Sequence, residues 1–391
     1  MLKNKVIICI SPIDWDFLRQ RHQIIMQFFA QNGNRVFYIE NINPALNLNF
    51  SFIPKILKRI RKILFGANSR KTKQIPNLTV ITPFVLPFRN KLAEFINKKI
   101  FIRLLYLLLK IHGIKKPIVW TYLATPAAIE LISGITPQFL VYDCVFDIAA
   151  HRDYPKDTVN YEKRLIKSAD LVFTDNSFLF KRCRQINPQT YLVQPGVDFE
   201  LFSNPKEIPG PEVFQNINKP RICFFGGIDA IRIDLTLIKY IAEKRPDWNI
   251  VLFGPVIKTD VSSLKLNNIF FMGTLEHEEL PSYLKEIDVL ILPYKIIPFS
   301  ESIFPAKIFE CLATGKQIVS TPLRQLNSFP QDVIKIASGN EDFMLAIEKY
   351  LNTPEPDEVD RRLSLARENS WTKRLTLIQS IMDEALNNKR I

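Results

Sequence analysis

The stretch that decides the fold is Pro298-Phe-Ser-Glu-Ser-Ile-Phe-Pro-Ala-Lys-Ile-Phe-Glu-Cys-Leu-Ala-Thr-Gly-Lys-Gln-Ile-Val-Ser-Thr-Pro322. Apolar residues recur at helical spacing after Pro305, whose fixed φ suits the first position of a helix, and Gly315 is placed to end it. A short buried strand is predicted at Gln317–Ser320. The free amides and positive dipole at the start of such a helix favour a phosphate group in the loop before it. Glu310, about one and a half turns into the helix, could then reach a sugar hydroxyl.

The plain alternative for Glu310 is a solvated glutamate on a helix surface. Lys307, three residues earlier, has the spacing of a helical ion pair and could be its partner. The surrounding sequence therefore has to decide whether this stretch binds a ligand.

Length and composition predict a folded protein of two domains. The chain has 391 residues, of which 47% are hydrophobic and 23% charged, and this length exceeds what one core usually serves. Its five cysteines lack metal-type spacing and are interpreted as reduced core residues of a cytosolic protein. The basic amino terminus precedes only about six apolar residues, which indicates a first strand rather than a secretory signal. The sequence contains no run of about 18 apolar residues, so no transmembrane helix is predicted.

Net charge is concentrated in one part of the first half. Residues 51–116 contain 16 basic side chains and one acidic side chain, Glu94, whereas residues 201–391 have a net charge of −2. Two segments, 52–65 and 90–114, combine this charge with an apolar stripe, as amphipathic helices at membrane interfaces do. The alternative is helices docked on their own sheet with their lysines in water. Nucleic acid is not expected as a partner, because neither segment has a recognition motif or repeated stacking aromatics.

The order of apolar runs predicts two doubly wound parallel sheets. Strands alternate with helical patterns in both halves, and a Pro-rich polar loop at 204–211 separates the two series. Ligands bind outside the carboxyl ends of the strands in such sheets, so two domains facing each other predict a cleft. The predicted strands of the first half are 5–10, 35–39, 80–82, 117–120, 139–142, 171–174 and 190–193, and those of the second are 221–225, 249–253, 268–272, 289–292, 317–320 and 333–337.

Several short motifs resemble those of the GT-B glycosyltransferases of the large retaining family four, and bacterial enzymes of teichuronic acid and exopolysaccharide synthesis are the most similar members. The likeness extends from Asp14-Trp15 and Arg21-His22-Gln23 to Ser370-Trp371 and the terminal helix, and it rests on the order and spacing of the motifs. Those motifs are Gly196-Val-Asp-Phe-x-x-Phe202, Phe224-Phe-Gly-Gly-Ile-Asp229, Leu252-Phe-Gly-Pro255, Phe271-Met-Gly273, Leu280-Pro-Ser-Tyr-Leu284, Asp288-Val-Leu-Ile-Leu-Pro293 and Glu310-Cys-Leu-Ala-Thr-Gly-Lys316.

The resemblance implies an acceptor domain at 1–202 with basic membrane-facing helices, a nucleotide-sugar domain at 203–370, and a carboxyl-terminal helix at 371–391 that crosses back to the first domain. It implies a metal-independent hexosyltransferase that retains configuration. The nucleotide-sugar is its substrate, a lipid-linked or polysaccharide molecule is its acceptor, and no cofactor is expected. With residues 51–116 on an anionic membrane, the expected location is cytoplasmic, on the inner face of the cell membrane.

The resemblance also assigns roles to residues of the donor site. Glu310 corresponds to the glutamate that holds the ribose, and the backbone amides of Ile303 and Phe304 would bind the diphosphate. Lys307 and Arg232 would neutralise that diphosphate as it leaves, although Arg232 could equally be an exposed loop arginine. Glycines at strand ends would let phosphate approach the backbone closely; they are Gly226, Gly227 and Gly254.

One position departs from the family pattern. The family has two glutamates eight positions apart, but Ser302 occupies the first position here and Glu301 is one residue out of register. Ser302 could contact a sugar hydroxyl or cap the local turn. The departure leaves open a catalytically inactive, GT-B-shaped nucleotide-sugar-binding or scaffold subunit, and a nucleotide-sugar epimerase of the same shape is a third interpretation.

In the first domain, the resemblance places Tyr142-Asp-Cys-Val-Phe-Asp-Ile-Ala-Ala-His151 at a strand end facing the cleft. Asp147 is predicted to contact the donor sugar or the acceptor hydroxyl, with His151 and Asp143 behind it. Asp143 could instead cap a helix or turn, and His151 could be a surface residue.

Overall fold

Two sets of parallel strands organise the chain, and each belongs to one of two units. The computed structural model describes residues 2–16, 19–42, 75–83, 95–150, 154, 156–204, 211–353 and 357–389. Unit 1 comprises Met1–Val193 with Leu375–Ile391, and unit 2 comprises Gln194–Arg374.

Seven described strands form the sheet of unit 1, in the order β3-β2-β1-β4-β5-β6-β7, and every pairing is parallel. The inner strands are continuous apolar runs because both faces of the sheet are covered by helices. The strands are β1 Val6–Ile10, β2 Arg35–Ile39, β3 Leu78–Ile81, β4 Ile118–Thr121, β5 Phe139–Cys144, β6 Leu171–Thr174 and β7 Thr190–Leu192.

Helices of unit 1 bury one apolar stripe each against this sheet. Helix α3, Pro126–Ile135, shows how the sequence starts them, because Thr125 accepts a hydrogen bond from the Ala128 amide and Pro126 takes the first helical position. A π-helical turn, Asn97–Phe101, precedes α2. The helices are α1 Arg21–Gln31, α2 Ile102–Ile111, α3 Pro126–Ile135, α4 Thr158–Ser168 and α5 Ser177–Arg184.

Six described strands form the sheet of unit 2, in the order β10-β9-β8-β11-β12-β13, again with parallel pairings. They are β8 Arg221–Phe225, β9 Asn249–Phe253, β10 Ile269–Gly273, β11 Val289–Leu292, β12 Gln317–Ser320 and β13 Lys335–Ile336. The remaining helices are α6 Phe199–Ser203, α7 Leu235–Lys244, α8 Leu280–Leu284, α9 Pro298–Glu301, α10 Lys307–Ala313, α11 Asn340–Asn352, α12 Asp357–Glu368 and α13 Trp371–Asn388.

Helix α13 starts in unit 2 and belongs to unit 1 from Leu375 onward. Its Ile378 and Met382 are fully buried in the core of unit 1. Among the described residues, no helix has both the length and the hydropathy to cross a membrane.

The predicted fold class is confirmed, since both units are α/β with parallel sheets. The stretch after β11 differs in detail from its prediction. The helix expected from Pro305 begins at Lys307, and the loop expected before it contains the short helix α9. Ser300 stabilises the turn that forms α9, because its hydroxyl accepts from the Ile297 amide at 3.1 Å and donates to the Ile297 carbonyl at 3.0 Å. Of the two basic segments, 52–65 and residues 90–94 lie outside the described residues.

Candidate functional site

Two glycine turns touch at the carboxyl edge of the sheet in unit 2. Gly226 follows β8 with φ +130°, and Gly254 follows β9 with φ +127°, a conformation that side-chain-bearing residues rarely adopt. A Cβ atom on Gly254 would lie 2.0 Å from the carbonyl oxygen of Gly226. The two turns therefore pack backbone against backbone, and only glycine fits between them.

Two cationic side chains lie over these turns. A Cβ atom on Gly226 would lie 2.0 Å from Cε and 2.6 Å from Nζ of Lys307. A Cβ atom on Gly227 would lie 3.4 Å from Nη2 of Arg232. Five of the predicted site residues are thus brought together, and they combine two positive charges with bare backbone. Within the described ranges, no group of three or more His, Cys, Asp or Glu side chains is arranged to hold a metal ion.

Asp229 holds Arg232 in place, and sequence reasoning missed this role. The buried Asp229 carboxylate accepts from Arg232 Nε at 2.7 Å, and its other oxygen accepts from the amides of Ile231 and Arg232. Lys295 supports the same loop, since its Nζ donates to the Ala230 carbonyl at 2.7 Å. The sequence does contain a signal for this role, because Asp229 is three residues before Arg232, close enough for the two side chains to pair.

Glu310 lies in the first turn of α10 and is half-buried. Among the described residues, its carboxylate has no hydrogen-bond or ion-pair partner, and the same holds for the Lys307 ammonium. The plain alternative, in which these two residues pair with each other, is therefore not what the structure shows. Tyr294, just after β11, is close enough to feel the charges of both Arg232 and Glu310, and burial raises its pKa. This places Glu310 near the same strand edge as the cations.

The three residues before Pro305 are less open than predicted. The Ile303 amide donates to the Ser300 carbonyl at 3.2 Å, so it is engaged within the turn and not free for a diphosphate. The Phe304 side chain is buried and stacks on Phe309, with ring centroids 5.5 Å apart. Ser302 is also buried. Since α10 has only seven residues, the cations and glycines define the site better than the helix end does.

In unit 1, Asp147 belongs to a buried ionic network at the carboxyl end of β5. Its carboxylate is 2.5 Å from Nη1 of Arg182, and it also accepts from the Ala149 amide at 3.1 Å. Arg182 donates through Nη2 to Glu162 at 3.0 Å, and Glu162 accepts from the Tyr142 hydroxyl at 2.8 Å. Asp147 is therefore charge-paired within its own unit. His151, its predicted neighbour, lies outside the described residues.

Asp143 is a buried ion-pair partner and not a cap. It accepts from Nε of Arg21 at 3.0 and 3.2 Å and from Nε1 of Trp120 at 3.3 Å, with its side chain fully buried. Arg21 also donates through Nη1 to the Val193 carbonyl at 2.7 Å. This pair ties the start of α1 to β4, β5 and the end of β7.

Neighbours of Arg21 are polar, buried and neutral. The His22 and Tyr122 rings are 3.9 Å apart, and neither ring's polar atoms have a partner among the described residues. Burial, followed by the Arg21 charge, lowers the pKa of His22 to about 3. Burial raises the pKa of Asp175 to about 8. Burial thus favours the uncharged forms of the groups around the Arg21–Asp143 ion pair.

These features define the class of the protein. The GT-B fold has two units, each a parallel sheet with helices on both faces. This chain has both units, and the strand edge of the second is lined by glycines and cations. Residues 219–353, which include every residue of this edge, match the family model described as glycosyl transferases group 1. The chain therefore has the GT-B fold, and residues 219–353 are similar to the group 1 glycosyltransferases.

Particular relatives make the likeness more specific. The chain is 33% identical over 223 residues to the putative teichuronic acid biosynthesis glycosyltransferase TuaH of Bacillus subtilis, covering 54% of this chain and 56% of TuaH. It thus spans about half the length of that curated relative. Sucrose-phosphate synthase from Thermosynechococcus elongatus matches 98% of this chain and all of its own, with TM-score 0.70 and 14% identity. Anabaena HepE, solved with UDP and glucose, matches 97% of this chain and 99% of its own, with TM-score 0.66 and 14% identity.

The predicted resemblance to GT-B glycosyltransferases of the teichuronic acid type is confirmed by these matches. The likeness to the solved structures, at 14% identity, shows the fold alone.

Proposed function

We propose that the protein is a metal-independent, retaining glycosyltransferase that moves a sugar from a nucleotide-sugar to a lipid-linked or polysaccharide acceptor in cell-surface polysaccharide synthesis. The observation that carries the proposal is the placement of Lys307 and Arg232 over Gly226 and Gly227. The name of TuaH, which refers to teichuronic acid biosynthesis, and the UDP and glucose bound to HepE support the choice of substrates.

The donor's diphosphate would lie beside the glycine turns, within reach of the Lys307 side chain over Gly226 and of Arg232 next to Gly227. Lys307 and Arg232 would neutralise the charge that develops on the leaving phosphate. Asp229 keeps the Arg232 guanidinium aimed there before the donor binds, so little reorganisation is needed. The unpaired Glu310 carboxylate would accept hydrogen bonds from the ribose hydroxyls.

We propose that configuration is retained by front-face displacement, in which the acceptor attacks from the face that the leaving group occupies. The acceptor oxygen forms a bond to the anomeric carbon while the bond from that carbon to the phosphate oxygen breaks. The acceptor proton passes to the leaving phosphate, so no dedicated nucleophile on the protein is required. Electrostatic stabilisation of the departing diphosphate by the two cations is then the main catalytic contribution.

Transfer of radiolabelled sugar to membrane extract tests the proposal, using a panel of UDP-, GDP- and ADP-sugars. We expect transfer from one of these donors. Glu310→Ala is expected to weaken nucleotide binding about 10- to 100-fold, because hydrogen bonds to a charged group contribute about 1.5–3 kcal/mol. Titration of the nucleotide by calorimetry measures this change.

Glu243→Ala is the matched control for Glu310→Ala. Glu243 is an exposed glutamate on α7 of the same unit and pairs with Lys239, away from the glycine turns. The two variants should differ in nucleotide affinity by at least tenfold. Nucleotide binding without either transfer or donor hydrolysis would favour the inactive binding or scaffold subunit, for which Ser302 is the motivating residue. No transfer, together with equal affinities of both variants, would contradict the proposal.

We also propose that the enzyme works on the inner face of the cell membrane, and α2 supplies the described part of the contact surface. Its buried face carries Ile102, Leu105 and Leu109. A second apolar stripe at i, i+3, i+4 and i+7 is exposed to solvent, consisting of Leu104, Leu107, Leu108 and Ile111. Exposed basic residues flank it, namely Lys99, Arg103, Lys110, Lys115 and Lys116. We call the four exposed apolar residues, Leu104, Leu107, Leu108 and Ile111, the α2 stripe.

Removing the α2 stripe is expected to release the protein from membranes. Each leucine that enters the acyl region contributes at most about 1.5–3 kcal/mol, so replacing Leu104 and Leu108 with aspartate should weaken vesicle binding at least tenfold. Flotation with vesicles of equal parts phosphatidylcholine and phosphatidylglycerol measures the bound fraction.

The control carries Leu345→Asp and Leu377→Asp, two exposed leucines on α11 and α13. It changes the net charge by the same amount but leaves α2 intact, so its flotation should match that of the unmodified protein. Equal loss of flotation in both double variants would contradict a role for the α2 stripe.

A further inference from the structure

A polar cavity opens at the amino edge of the sheet in unit 1, opposite the edge where the strands end. It has a volume of about 470 Å³ and lies where β1, β2 and β3 begin. Its polar lining consists of Asn4, Lys5, Arg35, Asn77 and Thr79. Neither the donor chemistry nor the ionic networks described above use these residues.

The cavity adjoins the carboxyl-terminal end of the α2 stripe. Nη1 of Arg35 donates to the His112 carbonyl at 3.2 Å, directly after α2, and the His112 ring packs edge-on against Phe37 at 5.7 Å. The same guanidinium lies 4.8 Å from the Phe37 ring centroid. These contacts fix Arg35 between the cavity and the helix end. Ile111, at that end, is 84% exposed, the largest exposed fraction among the described large hydrophobic residues.

Charge around the cavity is positive and unbalanced. Among the described residues, Lys5 and Arg35 have no carboxylate partner, and the same holds for Lys3 and for Lys110, Lys115 and Lys116 around the end of α2. The described part of residues 75–116 contains no acidic side chain. An anion in the cavity would therefore meet cations and amide or hydroxyl groups, without repulsion from a paired carboxylate.

We propose that this cavity binds the phosphate headgroup of an anionic membrane lipid while the α2 stripe enters the acyl region beside it. The proposal rests on the membrane association proposed above and adds a specific contact to it. A lipid surface has phosphates at the interface and acyl chains beneath them. The cationic polar cavity would meet the phosphates, and the exposed apolar side chains next to it would enter the acyl layer. Lys5 and Arg35 would contact the phosphate, and Asn77 and Thr79 would contact the polar headgroup.

Vesicle binding of the full chain tests this assignment. The double variant Lys5→Gln with Arg35→Gln should bind vesicles of equal parts phosphatidylcholine and phosphatidylglycerol about 30-fold more weakly, at about fivefold for each cation near the surface. The control, Lys239→Gln with Lys373→Gln, removes two exposed positive charges from unit 2. It should lose less than threefold. An equal loss in both variants would show diffuse attraction by net charge and would overturn the cavity assignment.

Two further measurements separate the alternatives. Glycerol phosphate in solution should not displace the protein from vesicles at millimolar concentration; displacement would identify a soluble phosphate ligand and contradict a lipid site. Nucleotide affinity should be the same in the cavity variant as in the unmodified protein. If the cavity assignment fails, nucleotide binding and sugar transfer still test the proposed glycosyltransferase independently, and thermal melting of each variant shows that it has folded.

Discussion

Replacing Asp143 with leucine is expected to lower the free energy of unfolding by about 3–5 kcal/mol, because it leaves the Arg21 guanidinium buried without its counter-ion. Both side chains are almost completely excluded from water, at 6% and 0% exposure. Trp120 would also lose an acceptor for its indole N–H. For a unit of about 200 residues, this loss corresponds to a fall in melting temperature of roughly 6–20 °C. Scanning calorimetry measures it.

A second variant distinguishes an unpaired charge from a simple packing defect. Arg21→Met combined with Asp143→Leu removes both charges, and such replacement of a buried ion pair is often close to neutral. The double variant should therefore recover most of the lost stability. Asp157→Ala, at an exposed aspartate of unit 1 whose side chain makes no cap hydrogen bond, should change the melting temperature little. A double variant as unstable as Asp143→Leu alone would contradict the ion-pair explanation.

The position of this pair also shows what local sequence cannot reveal. Arg21 and Asp143 are 122 residues apart, and Arg182 and Asp147 are 35 apart. No periodicity or capping pattern encodes such partners, because each depends on which strand ends the sheet order brings together. For this reason the sequence offers a cap as the structural role of Asp143 and does not indicate the pairing of Asp147 with Arg182.

The strands, in contrast, were predictable because their pattern lies within a few consecutive residues. A parallel strand buried on both faces is a continuous apolar run, and β8, Arg221–Phe225, and β11, Val289–Leu292, are such runs followed by glycine or proline. The sequence pattern does not predict α9, whose turn the Ser300 hydroxyl closes through hydrogen bonds to Ile297. A side-chain hydrogen bond within a turn competes with helix start signals and is hard to read from sequence.

The cationic edge of unit 2 was predicted through the family resemblance, and its structural reasons became visible only in three dimensions. Lys307 lies over Gly226, which is far from it in the chain, because β8 and β11 are neighbours in the sheet. Asp229 was missed since its role is to hold another side chain and not to contact a ligand. Sequence motifs identify residues that face ligands more readily than those that position them.

Alanine at Gly254 and alanine at Gly226 are expected to have different consequences, although both glycines have φ near +130°. At Gly254 the new Cβ meets backbone atoms of Gly226, at 2.0 Å from the oxygen and 2.7 Å from the carbon, which cannot move without displacing the end of β8. Overpacking and backbone strain together should cost about 2–6 kcal/mol of unfolding free energy. Chemical denaturation measures this loss.

At Gly226 the three atoms nearest to the new Cβ all belong to the flexible end of Lys307, and that side chain can move away. The positive φ then leaves a backbone strain of about 1–3 kcal/mol. The displaced ammonium would no longer neutralise a diphosphate, and loss of one such charged contact at a reacting group typically lowers the rate about 10²- to 10³-fold. Gly226→Ala should therefore fold but transfer sugar poorly. Gly273→Ala is the control, with φ +74° and no atom within 4 Å of its Cβ. If Gly226→Ala transferred sugar as fast as Gly273→Ala, the position of Lys307 over this turn would not matter for catalysis.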